Sequence, residues 1–348
     1  MVKTGLNRLL LAILLTFAVS PALHADNWRL IGGTNIYINK IFFPSNDANK
    51  VIVCSDAEET DFSAMTVNYG SMGHGFKFST NSGETFADYD TALLYYNVYD
   101  IIQLPNKPET WFAAVKYYNT RGILMSSDNG ATWSKEQMLH QEPSQVVKLA
   151  ARQNGDKSKI YGAILNTVSG EGFVYSEDNF DTYTNSDSLK AELRDIEISK
   201  ANNSLIFAAV DNSISGKQGV YRSYNDGKTW LKDETGIEYL RILCVHPMSN
   251  NPAVVFCGAD SITPNTKSIG KGIYMSEDTG KTWIKIGAPG FTVYDIVEHP
   301  SNPQFLIAAC DKGGVLVSSD GGKKWGAMNA GLPEGESVRC VGIPNIAA

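Results

Sequence analysis

The sequence contains no HExxH pair, no GxSxG elbow, no CxxC pair and no glycine-rich phosphate loop ahead of a helix. Metalloprotease, serine acyl-transfer, zinc-ribbon, dithiol redox and nucleotide chemistries are therefore without support. Histidine is scarce, with five in 348 residues and none at a ligating spacing, so neither a metal nor a cofactor is expected. His246 and His299 follow equivalent apolar runs and read as turn residues. Apolar residues rarely recur at helical spacing, which excludes a helical solenoid. Beyond residue 25 no apolar run reaches the roughly 18 residues that a membrane helix needs. Basic side chains are outnumbered, 30 against 37, which argues against non-specific nucleic-acid binding. The five cysteines (Cys54, Cys244, Cys257, Cys310 and Cys340) are an odd number and read as small core residues. One pair stays open: a turn centred on Asn250 and Asn251 sets Cys244 opposite Cys257, where export would permit a bridge, although directly cross-strand disulfides are geometrically awkward.

Residues 1–25 read as a secretory leader: Lys3 and Arg8, the run LLLAILLTFAV, then small residues in SPALHA, with cleavage expected between Leu23 and Asp26. Loss of Lys3 and Arg8 takes the formal charge from −7 to −9. Residues 26–348 are then expected to form one periplasmic or secreted domain, monomeric and without a membrane span. Short apolar runs between Gly, Asn, Asp and Pro clusters fill this segment, the pattern of many short strands.

One octapeptide recurs. SEDTGKTW at Ser276 has relatives at Ser79 (STNSGETF), Ser126 (SSDNGATW), Ser176 (SEDNFDTY), Ser223 (SYNDGKTW) and Ser318 (SSDGGKKW), spaced by 47, 50, 47, 53 and 42 residues. That is the period of a four-stranded propeller blade. Ser-x-Asp-x-Gly specifies a tight turn: the carboxylate accepts local amides, glycine supplies a positive φ and the final aromatic packs into the sheet. Asp128, Asp178, Asn225, Asp278 and Asp320 are the expected structural acceptors. Asn81 replaces the aspartate in the first copy and Phe180 the glycine in the third, so those two turns are expected to be less regular. Each copy follows a strand that begins Gly-apolar, such as GIYM at Gly272. Upstream lie two strands joined by a Pro-Asn turn, clearest in VYDIVEHPSNPQFLIAACD from Val293 to Asp311.

These copies resemble the Asp-box, or BNR, repeats of sialidases, xyloglucan-cleaving glycosidases, sortilin-type receptors and photosystem II assembly factors. The resemblance covers nearly all of residues 26–348 and implies an all-β propeller. It implies little about activity, because the box serves enzymes and non-enzymes alike. The Arg-Ile-Pro motif that precedes the first box in sialidases is absent.

At the ends, NWRLIGGTNIYINKI aligns with TWIKIGAPGFTVYDIV, making Trp28 the start of an outermost strand, and SVRCVGIPN aligns with an innermost strand. Six complete four-stranded blades plus a partial seventh are expected, either as a C-terminally shortened seven-bladed ring or as a six-bladed ring with two extra strands at the seam.

Functional groups of propellers usually line the channel. Aligned on the proline that ends each innermost strand, one column reads Asn39, Asp100, Lys148, Asp195, Ile242, Asp295 and Arg339. The column before it reads Ile38, Tyr99, Val147, Arg194, Arg241, Tyr294 and Val338. A polar channel mouth follows, able to bind a sugar, peptide or anion through Arg194, Arg241 and Arg339. On a structural reading Asp100, Asp195 and Asp295 instead tie inner strands to neighbouring blades. A glycosidase needs two carboxylates about 5 to 10 Å apart across the bond, and these three aspartates fall in blades 2, 4 and 6. The expected function is a non-catalytic binding or assembly scaffold for a protein or carbohydrate, with a sialidase-like or xyloglucanase-like glycoside hydrolase as the alternative. Two long crossovers, 57–74 with Phe62, Met65, Tyr69 and Met72, and 261–271, offer further contact area.

Overall fold

The computed structural model describes residues 37–344 apart from 57–74, 88–92, 94–95, 118–119, 135–136, 139–143, 166–171, 187, 212–215, 234, 262–269, 333 and 336. The leader, Trp28, the first crossover and most of the second therefore lie outside the described residues.

Six antiparallel sheets follow one another along the chain, each a meander in chain order. Blade 1 comprises Tyr37–Phe42, Val51–Asp56 and Phe76–Ser79, and Ala87 adds a single bridge to Phe78 where a fourth strand would begin. Blade 2 is Asn97–Leu104, Lys107–Tyr117, Thr120–Ser126 and Gln137–Met138; blade 3 is Gln145–Asn154, Lys157–Leu165, Phe173–Ser176 and Thr184–Asn185. Blade 4 is Leu193–Ile198, Ile206–Val210, Gly219–Ser223 and Leu231–Lys232; blade 5 is Leu240–Pro247, Val255–Ser261, Gly270–Ser276 and Ile284–Gly287. Blade 6 is Val293–His299, Asn302–Cys310, Gly314–Ser318 and Gly326–Ala327. First strands pack against first strands of the next blade, so the sheets stand radially as a propeller.

The expected partial seventh blade is not present as a sheet: residues 337–344 carry no strand. They run instead between the last blade and the first. The Val338 amide donates to the Cys310 carbonyl at 3.0 Å, and the Cys340 thiol reaches the Ile38 carbonyl at 3.6 Å. Among the described residues the apolar core divides into seven clusters. Five lie between successive blades. The other two flank this C-terminal segment, one joining Val338, Val341 and Ile343 to blade 6 and one joining Cys340 to Ile38, Ile41, Val51 and Val53 of blade 1. Burying a side chain such as Phe112, Phe207 or Phe256, each fully enclosed between blades, contributes about 2 to 3 kcal/mol.

The recurring octapeptide forms the same turn in every blade. In blade 5 the Ser276 hydroxyl donates to Asp278 Oδ1 at 2.8 Å and accepts the Gly280 amide at 2.8 Å. Asp278 in turn accepts the Thr282 amide at 2.9 Å and the Thr282 hydroxyl at 2.7 Å. The amide four residues on also reaches Asn81, Asp128, Asp178, Asn225 and Asp320, at 3.0, 2.8, 2.9, 2.9 and 2.9 Å. The turns at Asn81 and Phe180 are thus as regular as the others, contrary to the sequence expectation. The Asn81 amide oxygen replaces a carboxylate oxygen at no loss of geometry. Phe180 keeps the left-handed backbone, φ 66°, and its ring is buried against Phe112 with centroids 6.3 Å apart. In blade 6 that space belongs to the neighbouring aromatic, and a Cβ on Gly322 would lie 2.3 Å from Phe256.

All five cysteines are buried and free. Cys244 pairs across the ladder with Gly258 and Cys257 with Val245. The two thiols belong to core clusters on opposite faces of blade 5, so they do not face each other as the turn position suggested.

Candidate functional site

Each inner strand carries one extra residue at the same place, a bulge that shifts register between Ile38 and Lys40, Val98 and Asp100, Val146 and Lys148, Leu193 and Asp195, Ile242 and Cys244, and Val293 and Asp295. A bulge re-aims side chains locally and recurs at functional rims. The equivalent residues after it are therefore Lys40, Asp100, Lys148, Asp195, Cys244 and Asp295. Asn39 and Ile242 do not belong to this column. The reason is the hairpin: the count from column to proline is five in blades 2 and 6, which carry a second irregularity at Gln103/Leu104 and Glu298/His299, but four in blade 1 and three in blade 5.

The aspartates of this column are used within the wall. Asp100 Oδ2 accepts the Leu149 amide at 2.8 Å, Asp195 Oδ2 the Val245 amide at 2.9 Å, and Asp295 Oδ2 the Val341 amide at 3.1 Å. In each case the donor is on the next inner segment, so Val341 takes the place that Leu149 and Val245 hold in blades 3 and 5. Lysines alternate with the carboxylates: Lys40 lies 3.7 Å from Asp100, and Lys148 lies 3.1 Å from Asp195 and 3.9 Å from Glu197. Burial works against the Lys148 charge, but Asp195, Asp100 and Glu197 outweigh it and hold its pKa above the ordinary lysine value. Asp295 has buried thiols as its column neighbours, Cys244 and Cys340. Burial raises its carboxyl pKa despite the opposing pull of Lys148 and Lys40. Asp100 and Asp195 are 1% and 5% exposed.

At one end of the channel lies a cavity of about 370 Å³, lined by Ile38, Asn39, Arg194, Arg241, Leu243, Asp260, Thr292, Tyr294 and Arg339. The structure thus gathers Arg194, Arg241, Tyr294 and Arg339 of the sequence-derived candidates. Asp100, Lys148, Asp195 and Asp295 do not line it. The arginines are fixed from behind. Asp211 Oδ2 accepts Arg194 Nη2 at 2.6 Å and Nε at 3.2 Å, and also Arg241 Nη2 at 2.9 Å, while Arg241 Nε donates to Oδ1. Asp260 lies 3.8 Å from Arg241 Nη1. The Arg339 guanidinium lies over the Tyr294 ring, 5.2 Å from its centroid. Burial alone would raise the Asp211 pKa, but the two guanidiniums hold it below the usual carboxylate range. Burial and the nearby Asp311 raise the Tyr294 phenol, against the pull of Arg339. The Arg194 side chain remains 43% exposed, so part of this charge faces solvent.

Sequence reasoning missed Asp211 and Asp260. The signal was present: AAVD, CGAD and AACD end the second strands of three consecutive blades with Asp211, Asp260 and Asp311. Among the described residues no group of three or more His, Cys, Asp or Glu is placed to hold a metal, and no helix is long and apolar enough to cross a membrane.

The six repeated turns on a radial ring define a six-bladed β-propeller. The Sortilin-Vps10 family model (sortilin, neurotensin receptor 3) matches residues 218–336. No curated protein sequence matches significantly. Among solved structures, YCF48 bound to D1 peptide is similar with a TM-score of 0.60 at 14% identity, over 94% of this chain and 88% of that one. YCF48 from Cyanidioschyzon merolae gives 0.57 at 13% identity, over 84% and 85%. An ancestral GH74 enzyme gives 0.59 at 14% identity over 81% of this chain, which spans only 36% of that enzyme's length. At such identities the likeness is one of fold.

Proposed function

We propose that this protein is an exported, non-catalytic binding or assembly scaffold that takes a polar, acidic segment of a protein partner at the arginine-lined channel mouth. The observation that carries this reading is the arrangement of Arg194 and Arg241 around the buried Asp211, which orients two guanidiniums towards a cavity before any ligand arrives. Preorganised donors lose little freedom on binding. A solved YCF48 holds a peptide, and its likeness over nearly the whole chain supports a peptide as ligand class. The leader-like residues 1–25 support export to the periplasm or medium, where the domain acts as a monomer.

Glycoside hydrolysis is the second reading, supported by the fold shared with GH74 enzymes and by a cavity suited to an acidic sugar. It fares worse on geometry. The three channel aspartates are committed to backbone amides, and at the mouth Asp211 is neutralised by two arginines. Burial favours the protonated form of Asp295, but Asp295 does not line the mouth and so is not placed as an acid there.

The deciding experiment combines two measurements on purified protein. Fluorogenic sialosides and β-glucans should not be turned over, and clear turnover lost in Asp195→Asn would sink the scaffold reading. An immobilised acidic peptide should retain the wild-type protein, and Arg194→Ala combined with Arg339→Ala should abolish retention without loss of fold.

A further inference from the structure

Among the described residues nine other than glycine have a positive φ, and six of them lie inside the repeated turns, where the motif requires it. Tyr239 is outside them, at φ 60°, and it is 78% exposed, the most exposed of the large apolar side chains among the described residues. The left-handed conformation is unfavourable for any residue with a Cβ, and an exposed ring recovers nothing by burial. Phe180 has the same backbone but is enclosed by the core, which gives a structural reason for its presence. No such reason applies to Tyr239.

Its position is informative. Tyr239 stands six residues before Val245, whose amide binds Asp195. The same count back from Ile296 in blade 6 reaches Gly290, and from Val341 in the C-terminal segment it reaches Gly335. Both are glycines with positive φ, 86° and 75°. In blade 5, blade 6 and the C-terminal segment the chain thus turns left-handed at this place, whereas Lys190 of blade 4 does not, and in blade 5 a tyrosine stands where glycine would be unstrained. The turn is also held firmly. Ile237 is buried, the Leu240 amide donates to the Ile237 carbonyl at 3.2 Å, and the Trp283 amide donates to the Thr235 carbonyl at 2.9 Å. Two residues further on, Arg241 lines the mouth.

We infer that Tyr239 is a specificity-determining contact of the mouth, presenting its ring to an aromatic side chain that lies beside the carboxylate of an acidic peptide. This rests on the reading of the mouth as a peptide site and adds the second half of the recognised motif. The arginines bind the acid and the strained tyrosine stacks on its neighbour, since aromatic pairs gain beyond simple area burial. Strain kept at a rigid rim without internal benefit is the pattern of a ligand clamp.

The test uses the full folded protein and two labelled peptides, Gly-Phe-Glu-Asp-Gly-Gly and Gly-Ala-Glu-Asp-Gly-Gly, followed by fluorescence anisotropy. Wild type should bind the phenylalanine peptide about tenfold more tightly than the alanine peptide. Tyr239→Ala should abolish that preference, bringing the affinity for the phenylalanine peptide down to that for the alanine peptide. Tyr239→Gly should do the same without lowering the melting temperature, because glycine relieves the strained backbone. Arg339→Ala should weaken both peptides equally, which tests the mouth and not the tyrosine. A preference that survives in Tyr239→Ala overturns the inference alone. If wild type binds neither peptide, the inference and the peptide reading of the mouth both fall.

Discussion

The Asp295 carboxylate accepts the Val341 amide at 3.1 Å, joining blade 6 to the C-terminal segment at the point where the ring closes. Its charge is unfavourable there. Burial raises its pKa, so folding favours the protonated form, and the ionised group subtracts stability as pH rises from the unfolded carboxyl value through the higher folded one. Asp295→Asn keeps an acceptor for Val341 and removes the charge. It should match or exceed the wild type at neutral pH and lose part of this decline. Asp295→Ala should be about 1 to 3 kcal/mol less stable because a buried amide is left without its acceptor. Urea unfolding of the three proteins at pH 4 and pH 7 checks both statements.

The repeated turns have the opposite pH dependence. Hydrogen bonds from Thr132 and Ser126 depress the Asp128 pKa to about 2. For Asp278, bonds from Thr282 and Ser276 overcome a burial effect of opposite sign and reach the same value. Stability from these groups is complete above the unfolded carboxyl pKa and is lost as pH falls through it towards about 2. Asp278→Asn, which copies the natural Asn81 and Asn225 turns, should flatten acid unfolding below pH 4, as followed by circular dichroism.

Phe180 combines a strained backbone with a buried ring. Phe180→Gly removes about 1 to 2 kcal/mol of left-handed strain, but it also removes a core side chain of the kind whose truncation costs about 3 to 5 kcal/mol. The net expectation is destabilisation of about 1 to 4 kcal/mol. Gly322→Phe should fail for the converse reason, since Phe256 already fills that space. Denaturation midpoints of the two variants decide the matter.

The thiols should be inert in the native state. All five are buried, and burial pushes Cys310 up to about 12 and the others upward as well. Alkylation by iodoacetamide at pH 8 should therefore be negligible until denaturant is added, and reductant should leave the melting temperature unchanged. Rapid native labelling of Cys244 or Cys257 would contradict the packing described.

The octapeptide made the blades legible because a turn that satisfies its own amides is specified by adjacent residues. Asn81 and Phe180 show the limit of that reading, since the fitness of each depends on what the fold places beside it. The mouth was legible in part. Arg194, Arg241, Tyr294 and Arg339 were visible as residues that begin inner strands, yet the column drawn through Asn39 and Ile242 was displaced. Hairpin length varies between blades, and the bulges that absorb the difference leave no mark in composition. The recurring strand ends AAVD, CGAD and AACD mark the position of Asp211 but not its partners, because its role is fixed by two arginines from different blades, a long-range relation.

The mouth is lined by Ile38 and Asn39 of the first blade and by Arg339 of the C-terminal segment, residues about three hundred positions apart in the chain. Neither end contributes its share until the ring has shut, so the cavity depends on completion of the whole circuit and no partly assembled array of blades offers the same surface. If the mouth binds as proposed, it acts as a report on its own folding, and a partner engaged there would distinguish a closed propeller from an open one.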